Sequence, residues 1–257
     1  MDNISLIVSS SLQLLMFDIN ESDNTWTPLA FGSGCLVKYK ERYFLLSVAH
    51  VTDIAEAYVC IETGQLSVGQ TTPMQCVGGM CYFDEYKVAP HLVEQGVKEL
   101  EDLLKDPQGT VDVTFCEIKK LEALLQPAMN FGAYQIEAGA KAYLILEQAG
   151  KPAFNKQYGF SGRVRQQVGG KIIAAVPVLK LGLKYKKTEG RFHIFLAPQI
   201  INDADDYRGC SGAPILDEEG MLVGLVCKVH TGTKRVFAFS IEECRRLLDN
   251  ALALGML

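Results

Sequence analysis

The sequence predicts an all-β protein in two β-rich halves, with one inserted helix and a C-terminal helix. Two observations predict it. Short apolar runs rich in Val, Ile, Phe and Tyr alternate with Gly-, Thr- and Asp-bearing turns along most of the chain. Apart from a short linker, helical spacing of apolar residues is found at His91–Leu104 and in the stretch after Ser240.

Composition narrows the class before any motif is read. A chain of 257 residues, 48% hydrophobic and 21% charged, has the balance of a folded globular protein. A net charge of -5, with no basic cluster interleaved with aromatics, argues against a nucleic-acid partner. Lys184-Tyr185-Lys186-Lys187 comes nearest to such a cluster and reads as a solvated strand end. The start carries Asp2 and no Lys or Arg before Lys38, so a secretory n-region is missing. The apolar run to Phe17 is interrupted by Ser9, Ser10, Ser11 and Gln13 and is too short for a bilayer. It is expected to be the first strand of a cytoplasmic protein without a membrane segment. Eight scattered cysteines in such a chain read as reduced core thiols, and Cys76 and Cys81 lack zinc-site spacing, so no metal is expected.

Taken in order, Pro28 to Tyr39, the turn Lys40-Glu41-Arg42 and Tyr43 to Val51 read as strand, turn, strand. Gly32-Ser33-Gly34 leads into a strand rather than a helix, which favours a close backbone approach over a phosphate cradle. His50 ends an apolar strand, where a histidine is either a satisfied core residue or a catalyst. Tyr58–Ile61 and Met80–Phe83 supply short strands, and His91–Leu104 an inserted helix. Thr110–Ile118 is a strand holding Asp112 between two valines, a carboxylate costly to bury unless paired. Ile118–Leu125 reads as a short helical linker, and Pro127 marks the boundary between halves 1–127 and 128–257.

The second half resumes strands at Ala140–Glu147, Lys171–Leu179 and Phe192–Ala197. Gly159-Phe160-Ser161-Gly162 has glycines around a serine but no following hairpin, so Ser161 reads as a loop or strand residue. Gly209-Cys210-Ser211-Gly212-Ala213-Pro214 is different. Its glycines permit a sharp turn in which successive amides face one point beside the Ser211 hydroxyl, and a β-hairpin anchors it. An ordinary Gly-Ser hairpin loop is the alternative. Ser240 with Glu243 three residues on reads as a capping box for the final helix.

A serine nucleophile needs a base, and the base a partner that fixes its tautomer; Ser211, His50 and Asp112 can supply these. The segments Gly32–Val37, Leu46–Val51, Val111–Phe115, Gly209–Pro214 with Gly224–Val226, and Phe237–Ile241 resemble the motifs of the chymotrypsin/trypsin-like serine peptidases. The likeness runs to the bacterial and intracellular, HtrA-like branch and spans about residues 28–254. It implies two antiparallel β-barrels, 1–127 carrying His50 and Asp112 and 128–257 carrying Ser211. It also implies an oxyanion hole from the Gly209 and Ser211 amides, Cys227 facing the substrate backbone, and Asp205 at the base of a pocket for basic side chains. The expected substrate is a protein or peptide, and no cofactor is called for. Cys210 stands where zymogen-activated relatives have an aspartate, so regulation would fall to a partner protein or to loop ordering. A catalytically silent binding module, and a cysteine enzyme using Cys210, are the alternatives.

Overall fold

A computed structural model of the chain describes residues 2–20, 25–63, 74–84, 109–119, 124–168 and 171–257. The helix expected over 91–104 lies outside these residues.

The chain opens with a helix, α1 (Asn3–Ser10), where a strand was expected. Asp2 caps it, accepting from the Ser5 amide at 2.9 Å and the Ser5 hydroxyl at 2.7 Å. The Ser10 hydroxyl is absorbed by the Ile7 carbonyl, so a serine-broken run is compatible with a buried helix end. The strand starts only at Leu12. In order follow β1 (Leu12–Asn20), β2 (Thr25–Tyr39), β3 (Arg42–Ser47), the single turn α2 (Ala49–Thr52), β4 (Tyr58–Glu62), β5 (Met74–Cys76) and β6 (Thr114–Glu117). They make one sheet in the order β5-β4-β1-β2-β3-β6.

Between the halves lie short strands β7 (Leu125–Gln126), β8 (Met129–Asn130), β9 (Gln135–Ile136), β10 (Gly139–Ala140) and β11 (Leu144–Ile145). The strand expected over Ala140–Glu147 is thus broken, and β11 runs parallel to β2. Leu125, expected to end a helical linker, opens a strand paired with β10. Met80–Phe83 makes only an isolated bridge through Cys81 to Phe115.

The second half is a closed antiparallel barrel, β12-β13-β14-β17-β16-β15, from β12 (Gln157–Val168), β13 (Lys171–Glu189), β14 (Phe192–Ile201), β15 (Pro214–Asp217), β16 (Leu222–Val229) and β17 (Thr233–Ser240). Phe160, Phe195, Ile215, Val223 and Val236 fill it. Ser161 is a buried barrel residue whose hydroxyl donates to the Val178 carbonyl, as a strand position requires. The final helix, α3 (Ile241–Ala253), buries Cys244, Leu247, Leu248 and Ala251 in the core of the first sheet. Ser240 occupies its N-cap position with extended backbone, but its side chain makes no capping bond. Glu243 pairs with Arg246 instead, which dissolves the expected capping box. Among the described residues no helix is long and apolar enough to cross a membrane.

Lys141 ties the halves together. Its ammonium sits beneath the end of α1, donating to the Ser11 carbonyl at 2.6 Å and the Val8 carbonyl at 3.4 Å. Burial, aided by Arg163 and opposed by Glu62, pulls its pKa from 10.5 to about 7. A depressed amine pKa means that the folded chain sheds the proton before the unfolded chain does. Stability, measured against Lys141→Met, should therefore rise from about pH 7 towards pH 10.5. Denaturant midpoints of the two proteins across this range check it, and a pH-independent difference would refute it.

Candidate active site

The loop before β15 is bolted to the first sheet. Gly209 and Gly212 take φ of +99° and +88°, which only glycine adopts without strain. Around them the Cys210 amide donates to Tyr207, the Ala213 amide to Cys210 and the Gly212 amide to Val226. Across to β2, the Ser33 amide donates to the Ser211 carbonyl at 2.8 Å and the Ser33 hydroxyl to the Gly209 carbonyl at 2.7 Å. Ser47 in turn donates to the Ser33 carbonyl at 2.7 Å. Both carbonyls of the turn are thus held from behind. The Gly209 and Ser211 amides donate to no backbone carbonyl among the described residues.

Neighbouring residues of this loop have opposite environments. Cys210 is wholly buried in the barrel core, and desolvation pushes its thiol up to about 12. Ser211 is half-buried, the one residue of Gly209–Ala213 that is not buried. An oxygen nucleophile is therefore reachable where the thiol is not.

His50 sits in α2, one turn beyond β3, with Ala49, Val51 and Thr52 buried around it while its own side chain stands exposed. It is no satisfied core histidine. Asp112 lies in a bend just before β6, fixed by the buried Val111 and Val113 on either side. Its Oδ1 lies 2.8 Å from His50 Nδ1 and accepts from the His50 amide at 3.2 Å. Burial pushes the Asp112 carboxyl up, but the hydrogen bonds and charge of His50, with help from the Cys227 thiol, outweigh it and hold the pKa below its usual value. A carboxylate on Nδ1 places the ring proton there and leaves Nε2 as an acceptor.

Cys227, on β16, links these parts. Its carbonyl accepts the Ser211 hydroxyl at 3.1 Å. Its buried thiol donates to the Leu225 carbonyl at 3.5 Å, and burial followed by the Asp112 charge raises its pKa well above the ordinary value. Any contact of Cys227 with substrate therefore falls to its backbone. Asp112 and His50 are brought into direct contact, while the Ser211 hydroxyl bonds to the backbone of Cys227; among the described residues no hydrogen bond joins Ser211 to His50.

Asp205 departs from expectation. It begins a 3-10 turn, is largely solvent-exposed and lies 3.9 Å from Arg208, so it floors no buried pocket. Its neighbour Asp206 instead borders a cavity with Lys180, Pro198, Ile200 and Tyr207. Ser33 and Ser47 were missed as supports of the loop. The signal was Gly32-Ser33-Gly34 itself: a Cβ at Gly34 would meet the Leu46 carbonyl at 2.8 Å, so a close approach is built into the motif. No protein-family model matches the chain, and no curated protein matches it.

Proposed function

We propose that this chain is a serine endopeptidase of the chymotrypsin/trypsin-like kind, acting on a protein or peptide inside a cell, its first sheet taking the part of the first barrel. The observation that carries the proposal is the exposed His50 imidazole held at Nδ1 by Asp112, on a site whose loop presents Ser211 and keeps Cys210 buried. In the reaction the Ser211 hydroxyl leaves the Cys227 carbonyl and turns to His50 Nε2, which takes its proton as the oxygen attacks the peptide carbonyl. Asp112 steadies the imidazolium. The Gly209 and Ser211 amides receive the oxyanion, and His50 then returns the proton to the leaving amine.

A silent binding module is the competing reading, and the Ser211–Cys227 bond favours it, because it occupies the hydroxyl that a base should hold. Incubation of the folded protein with a fluorophosphonate, followed by peptide mapping, separates the two. An adduct on Ser211 supports the peptidase. No adduct, or one on Cys210, defeats it.

The exposure of Asp205 and its pairing with Arg208 bear on specificity. A charge already solvated adds little attraction for a substrate cation. Asp205→Ala is expected to leave the peptide-library cleavage profile unchanged; loss of a preference for Lys or Arg in that variant would reverse this.

A further inference from the structure

All eight cysteines are free, and seven are buried; Cys76 alone is exposed. Its partner across the β4–β5 ladder is Cys60, with the two sulfurs 3.0 Å apart. The next residues along the ladder, Val77 and Val59, are joined by the Val77 amide to the Val59 carbonyl at 2.9 Å. That makes Cys60 and Cys76 a non-hydrogen-bonded pair, the antiparallel position at which side chains lie closest and Cα separation falls in the range a disulfide spans. Both thiols can therefore be joined without moving the strands.

We propose that Cys60 and Cys76 form an oxidation site, closed to a disulfide by a hydroperoxide and reopened by a dithiol. The inequality of the two residues sets the order of events. Cys76 meets solvent, whereas Cys60 is buried and its thiol is held protonated by desolvation and by the bond to Cys76. The Cys76 thiolate attacks a peroxide oxygen, breaking the O–O bond, becoming a sulfenic acid and releasing an alcohol or water. Cys60 sulfur then attacks Cys76 sulfur, its proton leaving with the hydroxyl as water. Two thiols are oxidised by two electrons and one peroxide is reduced. Beyond Cys76 the chain continues through Gly78 and Gly79 to Tyr82, whose hydroxyl donates to Thr52 in α2 at 3.3 Å. The pair thus anchors a segment that buttresses the turn carrying His50, although the oxidation itself does not depend on the proposed peptidase activity.

The test treats the reduced, folded full-length protein with one equivalent of hydrogen peroxide, denatures it in excess iodoacetamide and maps the peptides. A Cys60–Cys76 linked peptide, with the other six cysteines alkylated and both thiols recovered by dithiothreitol, is expected. Linkage of Cys76 to another cysteine, or its conversion to sulfinic acid while Cys60 remains alkylated, would overturn the proposal. With Cys60→Ser, the Cys76 sulfenic acid should persist and be trapped by dimedone in greater yield than in the wild type. Equal trapping in the two proteins would show that Cys60 does not resolve it. The wild-type mapping decides the matter even if the variant folds poorly.

Discussion

Ser211→Ala is expected to cut turnover of a peptide substrate by roughly a million-fold, while Cys210→Ala keeps most of it. The asymmetry comes from the loop. Cys210 points into the barrel core, where Gly162 packs on its sulfur, so shortening it to Ala removes packing and costs stability of about 1 kcal/mol. Ser211 points the other way, towards Cys227 and the groups gathered there. In the reaction proposed above, removing its oxygen deletes the attacking atom and leaves His50 and Asp112 no proton to move. Steady-state kinetics of both variants, with circular dichroism to establish folding, make the comparison. An inactive but folded Cys210→Ala beside an active Ser211→Ala would invert the assignment of the nucleophile.

The parts of the site legible in the sequence were those that local chemistry dictates. Glycines around Ser211 announced a sharp turn, and both have positive φ. A carboxylate between valines announced a partner, and Asp112 has one in His50. Other features depend on residues far apart in the chain. His50 was placed at a strand end, yet it lies on a single helical turn of four residues, too short for any periodicity to mark. The run Ile4 to Ser10 fits either period over so few residues, and the choice of helix follows from the Asp2 cap and the burial of its end under the second half. The Ser33 bonds to the loop join residues more than 170 positions apart, which no local pattern marks. Asp205 is exposed because it begins a 3-10 turn, a feature that counting along the loop does not show.

The contact of the loop with Ser33 makes Gly212→Ala the substitution with the largest expected effect on the fold. Two costs coincide there. At φ +88° an L-residue is strained, and the added Cβ would overlap the Ser33 carbonyl oxygen and lie 2.5 Å from the Ser47 hydroxyl. Neither neighbour yields cheaply. The Ser33 carbonyl is backbone of β2 and already accepts the Ser47 hydroxyl, while the Ser33 amide and hydroxyl hold Ser211 and Gly209. Pushing it away breaks the bonds that join the loop to the first sheet. Backbone strain and overpacking together amount to about 4 kcal/mol, or roughly 10 °C in Tm for a chain of this size. Gly232→Ala is the control, since Gly232 also has positive φ, +73°, but nothing lies within 4 Å of the position its Cβ would take. It carries strain alone, about 1 kcal/mol and roughly 3 °C. Differential scanning of the three proteins measures the gap between the variants. Equal losses would mean that the close approach of Ser33 adds nothing to the conformational cost, and that the loop does not rest on β2 as described.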